Sequence, residues 1–207
     1  MTNTAVLGVL ASGRGSNLQS IIDAIDIGRI KAEIAVVISD KPEANALKRV
    51  AELGIPAVCV DRKKYDTKEA FERALVEELA KHRVDLVILA GFMRILSPYF
   101  VNAFKNKILN IHPSLLPAFP GAHAHRSVLE YGAKVSGCTI HLVDEGMDSG
   151  PIILQESVPV LDADTEETLA ARVLKVEHVL YPKAIALYLE NKIEIHGRRV
   201  TIKEEKE

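Results

Sequence analysis

The feature that most constrains the fold is a regular alternation of short apolar runs with amphipathic segments in the first half of the chain. Four runs have the length of buried strands: Ala5–Leu10, Glu33–Ser39, Ala57–Val60 and Asp85–Leu89. The segments between them carry apolar residues three and four positions apart, which is the spacing of a helix with one buried face. This alternation predicts a mostly parallel sheet that is covered by helices on both faces.

The second half of the chain predicts a change to antiparallel pairing. Val135–Val143 alternates in polarity, and Ile152–Pro159 is a second extended segment after a loop rich in acidic residues and glycine. Two such segments predict a hairpin. The longest helix follows over Thr165–Glu190, and Ile193–Ile202 predicts a small two-stranded ribbon. We expect an α/β, three-layer, Rossmann-like fold whose mostly parallel sheet has an antiparallel edge toward the C-terminus.

Two helix starts carry side chains that can cap backbone N–H groups. Before the first helix, Ser16 or Asn17 is expected to provide the cap. Before the longest helix, Asp164 and Glu167 make a clearer capping box than the overlapping Thr-x-x-Thr pattern.

The composition excludes several classes of partner. The 207 residues include 26 Lys and Arg against 28 Asp and Glu, a net charge of −2, so the basic surplus of a nucleic-acid-binding protein is missing. The N-terminus lacks the positive region of a signal peptide, and no apolar run reaches spanning length. We expect a cytoplasmic protein with no nucleic-acid partner and no membrane association.

The two cysteines, Cys59 and Cys138, both lie in apolar runs that predict strands. They could pair, but buried free thiols in a reducing compartment fit such positions better. Two cysteines also make a poor zinc site, so this pair gives no reason to expect a metal.

The stretch from Ile108 to Pro120 places two polar side chains at the end of a strand. Asn110 and His112 are two residues apart, so they project from the same face, and Pro113 ends the strand. In an open α/β sheet, ligands bind at this carboxyl end. An amide donor beside an imidazole suits the stabilisation of an oxyanion and the movement of a proton.

A carboxylate can join this pair from the loop after Val135–Val143. Asp148 lies in that loop. It would fix the tautomer of His112 if the strand Val135–Val143 lies next to the strand that carries His112. Ser114 and Ser149 lack the pattern of an activated nucleophile, so direct transfer between two bound substrates fits better than an acyl-enzyme. A metal cluster of Asp144, Glu145 and Asp148 is disfavoured because an oxygen-rich ligand set is missing. The further histidines are expected to be structural or to support the site indirectly: His123, His125 and His141.

A glycine-rich loop joins the first strand to the first helix. Gly13 and Gly15 permit backbone conformations that other residues avoid, and the helix start that follows presents N–H groups to an anion. The alternative is a plain tight turn.

Two further features of the sequence each have two possible roles. The apolar segment 91–96 is a core plug or a ligand wall, and Glu177 is a solvated helix charge or a contact to a ligand amine or ribose.

Four motifs stand in the order found in phosphoribosylglycinamide formyltransferases, the folate-dependent enzymes of purine synthesis. They are Ser-Gly-Arg-Gly-Ser-Asn-Leu-Gln (12–19), Ala-Gly-Phe-Met-Arg-Ile-Leu-Ser (90–97), Asn-Ile-His-Pro-Ser-Leu-Leu-Pro (110–117) and Asp-Glu-Gly-Met-Asp-Ser-Gly-Pro-Ile (144–152). The chain resembles this family from about residue 5 to about residue 190. The Asn-x-His-Pro element is shared by all tetrahydrofolate formyltransferases. The glycine loop narrows the resemblance to the glycinamide enzyme or its hydrolytic relative.

The resemblance implies that 10-formyltetrahydrofolate, as co-substrate, donates its formyl group directly to the amine of glycinamide ribonucleotide, without a metal. It implies catalytic roles for Asn110, His112 and Asp148. The residues that match the ribonucleotide site are Gly15, Ser16, Asn17 and Glu177. Those that match the folate site are Lys68, Met93, Arg94, Ile95, Leu96, Asn110 and Asp144. Lys68 stands where the family often has an arginine, and lysine keeps the charge but lacks the bidentate fork.

The same resemblance implies one formyltransferase domain over residues 1–207. Its parts are a phosphate-binding half (about 1–100), a catalytic and folate-binding half (about 101–190) and a short C-terminal ribbon. The expected partners are small-molecule substrates, and the protein is expected to be a monomer or a homodimer, for which an edge strand near Phe100–Ile108 could supply the contact.

Three other functions compete with this one. A formyltetrahydrofolate deformylase would use water in place of the amine, but that family usually carries an additional N-terminal domain. The methionyl-tRNA formyltransferase is longer and has a basic surface for tRNA. A non-catalytic nucleotide- or folate-binding module would have no reason to keep Asn110, His112 and Asp148 together.

Overall fold

The structure is a computed structural model that describes residues 4–203. Within that range the strands are β1 Ala5–Leu10, β2 Ala32–Ser39, β3 Ala57–Cys59, β4 Leu86–Leu89, β5 Ile108–His112, β6 Val135–Leu142, β7 Ile152–Pro159, β8 Ile193–His196 and β9 Arg199–Ile202. The helices are α1 Ser16–Asp26, α2 Asn45–Ala51, α3 Lys68–Lys81, α4 Pro98–Ala103, α5 Ala124–Tyr131 and α6 Glu166–Leu189. A short 3₁₀ turn covers Arg62–Lys64.

Seven strands form one sheet in the order β3-β2-β1-β4-β5-β6-β7, and β8 and β9 form a separate ribbon. The strand β1 pairs in parallel with both β2 and β4, and β2 pairs in parallel with β3. At the other end, β6 and β7 are antiparallel. The predicted α/β, Rossmann-like fold, with a mostly parallel sheet and an antiparallel C-terminal edge, is confirmed.

The chain divides into two compact units, Met1–Leu109 and Asn110–Glu207. In the first unit every residue of β4 is buried, and α1 buries Leu18, Ile21 and Ile22. In the second unit α6 packs on β6 and β7. The organisation as a single functional domain stays a prediction.

Both predicted helix caps are wrong. The helix α1 begins after Gly15, which has a left-handed φ of 73°, and no side chain caps it, since Ser16 is already helical. At α6, Thr165 is the cap: its hydroxyl accepts from the Thr168 N–H, and the Thr168 hydroxyl accepts from the Thr165 N–H. The carboxylate of Asp164 instead binds the guanidinium of Arg172.

Two further expectations, a buried Cys59 and an edge strand near Phe100–Ile108, are wrong because of where these residues lie relative to the sheet. Cys138 is buried and free as expected, but Cys59 is exposed because it lies in β3, which is an edge strand. The segment Phe100–Ile108 is not an edge strand. The helix α4 occupies much of it, and β5, which begins at Ile108, lies between β4 and β6.

Candidate active site

The strand β5 ends at His112, so Pro113 stops the strand where the sequence predicted. Asn110 and His112 therefore share one face at the end of this strand. His112 is buried, with 4% of its surface exposed, and Asn110 is half-buried. The local sequence thus places an amide and an imidazole side by side at the strand terminus.

Both ring nitrogens of His112 face oxygen atoms. Its Nε2 lies 2.9 Å from the carbonyl oxygen of Phe119, and its Nδ1 lies 3.4 Å from Oδ2 of Asp148. A carbonyl can only accept, so Nε2 donates to Phe119. Nδ1 is therefore the ring nitrogen that faces the carboxylate of Asp148.

The loop between β6 and β7 brings Asp148 to this position. Asp148 has a φ of 49°, in the left-handed region that Asp tolerates better than most residues. Its Oδ2 accepts from the Gly121 N–H at 2.8 Å. Oδ1 of Asp144 ties the loop internally by accepting from the Gly146 N–H at 3.1 Å and the Ser149 hydroxyl at 2.6 Å. Asp144, which was assigned to folate, thus also organises the loop.

His141, one of the three histidines predicted to be structural or to support the site indirectly, lies beside Asn110 and Asp148. Its Nε2 lies 3.1 Å from Nδ2 of Asn110 and 3.9 Å from Oδ1 of Asp148. Its Nδ1 donates to the Leu142 carbonyl at 2.8 Å, so Nε2 of the neutral ring accepts from Asn110. Burial lowers the pKa of His141, which favours this neutral form. Its position in β6, just before the acidic loop, is the sequence signal that could have identified it.

Neither of the serines near Asn110, His112 and Asp148 is placed as a nucleophile. The Ser114 hydroxyl is fully buried and donates to the Ala118 carbonyl at 2.6 Å. The Ser149 hydroxyl donates to Asp144. Both hydroxyl groups therefore make hydrogen bonds within the loops that carry them.

A polar network, buried at Thr139 and exposed at Gln155, fixes the loop that follows β5 and contacts His112 through Phe119. The Thr139 hydroxyl donates to the Ser114 carbonyl at 2.7 Å and accepts from the Leu116 N–H at 3.0 Å. Nε2 of Gln155 donates to the same hydroxyl at 2.9 Å and to the Leu116 carbonyl at 2.8 Å. Because this loop carries Phe119, the network sets the position of the carbonyl that His112 contacts.

In the first unit, the glycine-rich loop leads directly into α1, where the sequence predicts an anion site. Gly15 precedes α1, and a Cβ there would lie 3.0 Å from Cα and Cβ of Ala46. The Ala46 N–H donates to the Gly13 carbonyl, so the start of α2 packs against the loop. The N–H groups of the first turn of α1, where Ser16 and Asn17 lie, point along the helix axis.

In the segment 91–97, buried residues stand on either side of three consecutive exposed ones, Met93, Arg94 and Ile95. Phe92 and Leu96 are buried, whereas Met93 and Ile95 are 71% and 61% exposed. Phe92 and Leu96 therefore fill the core, whereas Met93 and Ile95 form an exposed apolar surface whose role as a ligand wall stays a prediction. Nε of Arg94 lies 2.5 Å from a carboxylate oxygen of Asp40.

The two remaining predicted residues lie on helices. Lys68, the first residue of α3, is half exposed, and its Nζ lies 3.8 Å from Oε1 of Glu72. Glu177 is buried within α6, with 7% of its surface exposed, so it is not a solvated helix charge. Their assignments to folate and to the ribonucleotide stay predictions.

Two features are absent from residues 4–203. This part of the chain holds no group of three or more His, Cys, Asp or Glu side chains arranged to bind a metal ion. It also has no helix that is long and apolar enough to cross a membrane.

Comparison with known proteins identifies the family. A sequence profile described as formyl transferase matches residues 6–185. The chain belongs to the formyl transferase family. It is 44% identical to the phosphoribosylglycinamide formyltransferase of Escherichia coli (strain K12) over 188 residues, which are 91% of this chain and 89% of that protein.

Solved structures agree with this membership. The crystal structure of glycinamide ribonucleotide transformylase 1 from Symbiobacterium toebii superposes with a TM-score of 0.96 at 50% identity, covering 99% of this chain and 96% of that one. These comparisons confirm the family resemblance that the four motifs predicted. They also confirm the enzyme class that it implies, a one-carbon transferase.

Two relatives differ from this chain in length or identity. It is 47% identical to the trifunctional purine biosynthetic protein adenosine-3 of Chironomus tentans over 93% of its own length, but it spans only 14% of that protein. A formyltetrahydrofolate deformylase from Pseudomonas syringae shares the fold, with a TM-score of 0.89, at 28% identity, and the chain covers 67% of it. The hydrolytic rival is thus a more distant relative of this chain.

Proposed function

We propose that this protein transfers the formyl group of 10-formyltetrahydrofolate to the amine of 5-phosphoribosylglycinamide in de novo purine biosynthesis. The observation that carries the proposal is the gathering of Asn110, His112 and Asp148 around the end of β5, with Asp148 3.4 Å from His112. The relatives named for this reaction cover most of the chain and support the same conclusion.

The reaction needs an oxyanion to be stabilised and a proton to be moved. The amine nitrogen bonds to the formyl carbon, whose C=O double bond opens to an oxyanion. Collapse of this intermediate breaks the bond from the formyl carbon to the folate nitrogen. The amine loses one proton and the folate nitrogen gains one, so the transfer requires no further reactant.

In our proposal, Asn110 and His112 stabilise the oxyanion. Asn110 uses one amide hydrogen on His141, which leaves the other for the formyl oxygen. His112 donates from Nε2 to the Phe119 carbonyl, so contact with the oxyanion requires the ring to exchange this partner. Asp148 supports the protonated ring and assists the proton transfer.

The two substrates are assigned to separate groups of residues. Gly15, Ser16 and Asn17 are proposed to bind the phosphate through the start of α1, and the buried Glu177 to contact the ribonucleotide. The folate is proposed to lie on Lys68, on the segment from Met93 through Arg94 and Ile95 to Leu96, and on Asn110 and Asp144. This assignment involves no metal.

The decisive experiment follows the fate of the formyl group. The protein is incubated with 10-formyltetrahydrofolate, with and without the ribonucleotide, and release of tetrahydrofolate is measured. We expect release only with the ribonucleotide, matched by formylated product. Equal release without it, together with formate, would make the protein a deformylase, and no release in either case would leave only a binding function.

A pair of histidine variants tests the catalytic assignment. His112→Ala should lower kcat by about 10²-fold to 10⁴-fold, the usual contribution of a positioned acid or base, and leave ribonucleotide binding nearly unchanged. The control is His123→Ala, which should retain full activity. His123 is an exposed residue directly before α5. Near-normal turnover of His112→Ala contradicts the assignment.

A further inference from the structure

Two buried carboxylates hold the apolar segment 91–97, and neither was assigned a role by the sequence. Asp40 follows the last residue of β2, and Glu72 lies in α3. The side chain of each is only 1% exposed. A buried carboxylate is costly unless it is paired and hydrogen-bonded, so such positions demand specific partners. In both cases the partner belongs to the segment 91–97.

Asp40 fixes the middle of the segment. Its Oδ2 lies 2.5 Å from Nε of Arg94, and the backbone carbonyl of Asp40 accepts from the Arg62 N–H. The guanidinium of Arg94 also lies 5.7 Å from the centre of the Phe71 ring, a cation–π distance. The charge of Arg94 is therefore compensated within the unit.

Glu72 fixes the end of the segment. It accepts from the Ser97 N–H at 2.9 Å and also from the Ser97 hydroxyl. Lys68, one helical turn earlier, provides a positive charge 3.8 Å from the same carboxylate. Ser97 thus gives both of its donors to a side chain of α3.

Ser12 fixes the beginning of the segment. Its N–H donates to the Gly91 carbonyl at 3.1 Å, and its hydroxyl accepts from the Met93 N–H at 3.0 Å. Met93 is itself attached through its N–H, and Ile95 lies between Arg94 and Ser97, the other two points of attachment. The backbone of Met93 and Ile95 therefore has little freedom, although their side chains face outward.

We propose that Asp40 and Glu72 are positioning residues for the formyl donor: they hold segment 91–97 so that Met93 and Ile95 present one rigid apolar surface to its flat heterocycle. The inference rests on the proposed function, since it assumes that this segment contacts the folate. It changes the role of Arg94, whose guanidinium acts through Asp40 on the segment rather than as a free charge for the ligand. Lys68 likewise shares its charge with Glu72.

The alternative is that the two carboxylates only stabilise the fold. The chain offers a matched control, because Asp164 is also a buried carboxylate that binds an arginine, Arg172, at 2.6 Å and 2.8 Å. The carboxylate of Asp164 accepts hydrogen bonds from Leu161, Thr168 and Arg172, all of the second unit. Loss of the Asp164 charge should therefore lower stability without removing a hydrogen bond of segment 91–97.

The test compares Asp40→Asn, Glu72→Gln and Asp164→Asn in steady-state kinetics with both substrates varied. For the first two we expect KM for 10-formyltetrahydrofolate to rise on the order of tenfold, with kcat and KM for the ribonucleotide little changed, because a misplaced binding surface weakens one substrate. Hydrogen exchange at the Met93 and Ser97 amides should accelerate. Asp164→Asn should change neither readout.

Three results would overturn the inference: an unchanged KM for the folate in both variants, an equal rise in Asp164→Asn, or unchanged exchange at Met93 and Ser97. Should Asp40→Asn and Glu72→Gln not fold, Ser97→Ala removes one bond to Glu72 and should raise the same KM by a smaller factor. If the wild-type protein transfers no formyl group, the proposed function fails. The exchange rates still decide whether the carboxylates hold the segment.

Discussion

The side-chain amide of Asn110 donates to Nε2 of His141 across 3.1 Å, and this bond determines which way the amide faces. The Leu142 carbonyl holds the proton of His141 on Nδ1, so Nε2 can only accept. The side-chain nitrogen of Asn110, and not its oxygen, therefore faces His141. In the proposed reaction, His141 acts through Asn110 rather than on the substrate.

Removal of His141 should lower kcat more than it changes KM. In His141→Ala the Asn110 amide can rotate, so its donor is no longer aimed at the oxyanion. Loss of an entire oxyanion donor commonly costs about 10²-fold to 10³-fold in kcat, and we expect a loss of about tenfold to 10²-fold here. Steady-state kinetics check this, and His141→Gln, which retains an acceptor, should recover part of the activity. An unchanged kcat in His141→Ala contradicts the orienting role.

The burial of two histidines predicts how stability depends on pH. Burial lowers the pKa of His141 and of His125, so below about pH 6.5 the unfolded chain binds protons that the folded chain does not. The unfolded state then binds more protons, and the free energy of unfolding falls as pH falls from about 7 toward about 5. Each histidine can contribute a slope of at most about 1.4 kcal/mol per pH unit.

Urea unfolding across this pH range measures the effect. His141→Asn should flatten the dependence because it removes one proton-binding group from the unfolded chain. His123→Asn, at an exposed position, should keep the slope of the wild-type protein. Equal slopes in His141→Asn and the wild-type protein would show that His141 binds its proton equally well in both states.

The parts of the site that follow from local sequence were predictable. Pro113 ends β5 at His112, and the two-residue spacing puts Asn110 and His112 on one face whatever surrounds them. The approach of Asp148 required one further assumption, that its strand neighbours β5, and the order of the sheet places β6 there.

The parts that depend on competition between partners were not predictable. Asp164 does not cap α6 because its carboxylate binds the guanidinium of Arg172. Thr165 caps the helix instead. The roles of Asp40 and Glu72 depend on contacts between residues distant in the chain: Arg94 is 54 positions from Asp40, and Ser97 is 25 from Glu72. No local periodicity contains such information.

Two glycines at opposite ends of α1 have nearly the same backbone conformation. Gly15 and Gly28 have φ values of 73° and 75°. A Cβ at Gly15 would lie 3.0 Å from Ala46, whereas at Gly28 no atom lies within 4 Å. Both alanine variants should lose about 1–2 kcal/mol of stability from the left-handed backbone. Only Gly15→Ala should also raise KM for the ribonucleotide, because the start of α2 must shift.

Urea unfolding and steady-state kinetics together test this comparison. If Gly28→Ala raises KM for the ribonucleotide as much as Gly15→Ala does, the effect comes from general destabilisation of α1. If Gly15→Ala leaves this KM unchanged, the glycine loop is not the phosphate site.

The two thiols should differ sharply in reactivity. Burial raises the pKa of Cys138 to about 12, so almost none of it is thiolate near neutral pH. Cys59 is exposed, although burial of part of its surface and the nearby Asp61 raise its pKa as well. A thiol-specific reagent should modify one cysteine in the native protein and two in denaturant. Reaction of the native Cys59→Ser variant would show that the environment of Cys138 opens.

The C-terminal ribbon contributes one contact to the loop that carries Asp148. Nη2 of Arg198, in the turn between β8 and β9, donates to the Ser149 carbonyl at 2.6 Å. This arginine lies beyond residues 6–185, which the family profile matches, so the family pattern predicts nothing for it. Loss of the bond should loosen the loop at the residue that follows Asp148.

Arg198→Ala should therefore accelerate hydrogen exchange in residues 144–150 and lower kcat by less than about tenfold, since one exposed hydrogen bond contributes only about 1 kcal/mol. The neighbouring Arg199→Ala in β9 is the matched control because it removes the same charge from the ribbon. Arg198→Lys keeps the charge with a shorter reach and should fall between the two. Equal exchange rates in both alanine variants would mean that the ribbon does not restrain the loop, and that Asp144 and Gly121 alone hold Asp148 in place.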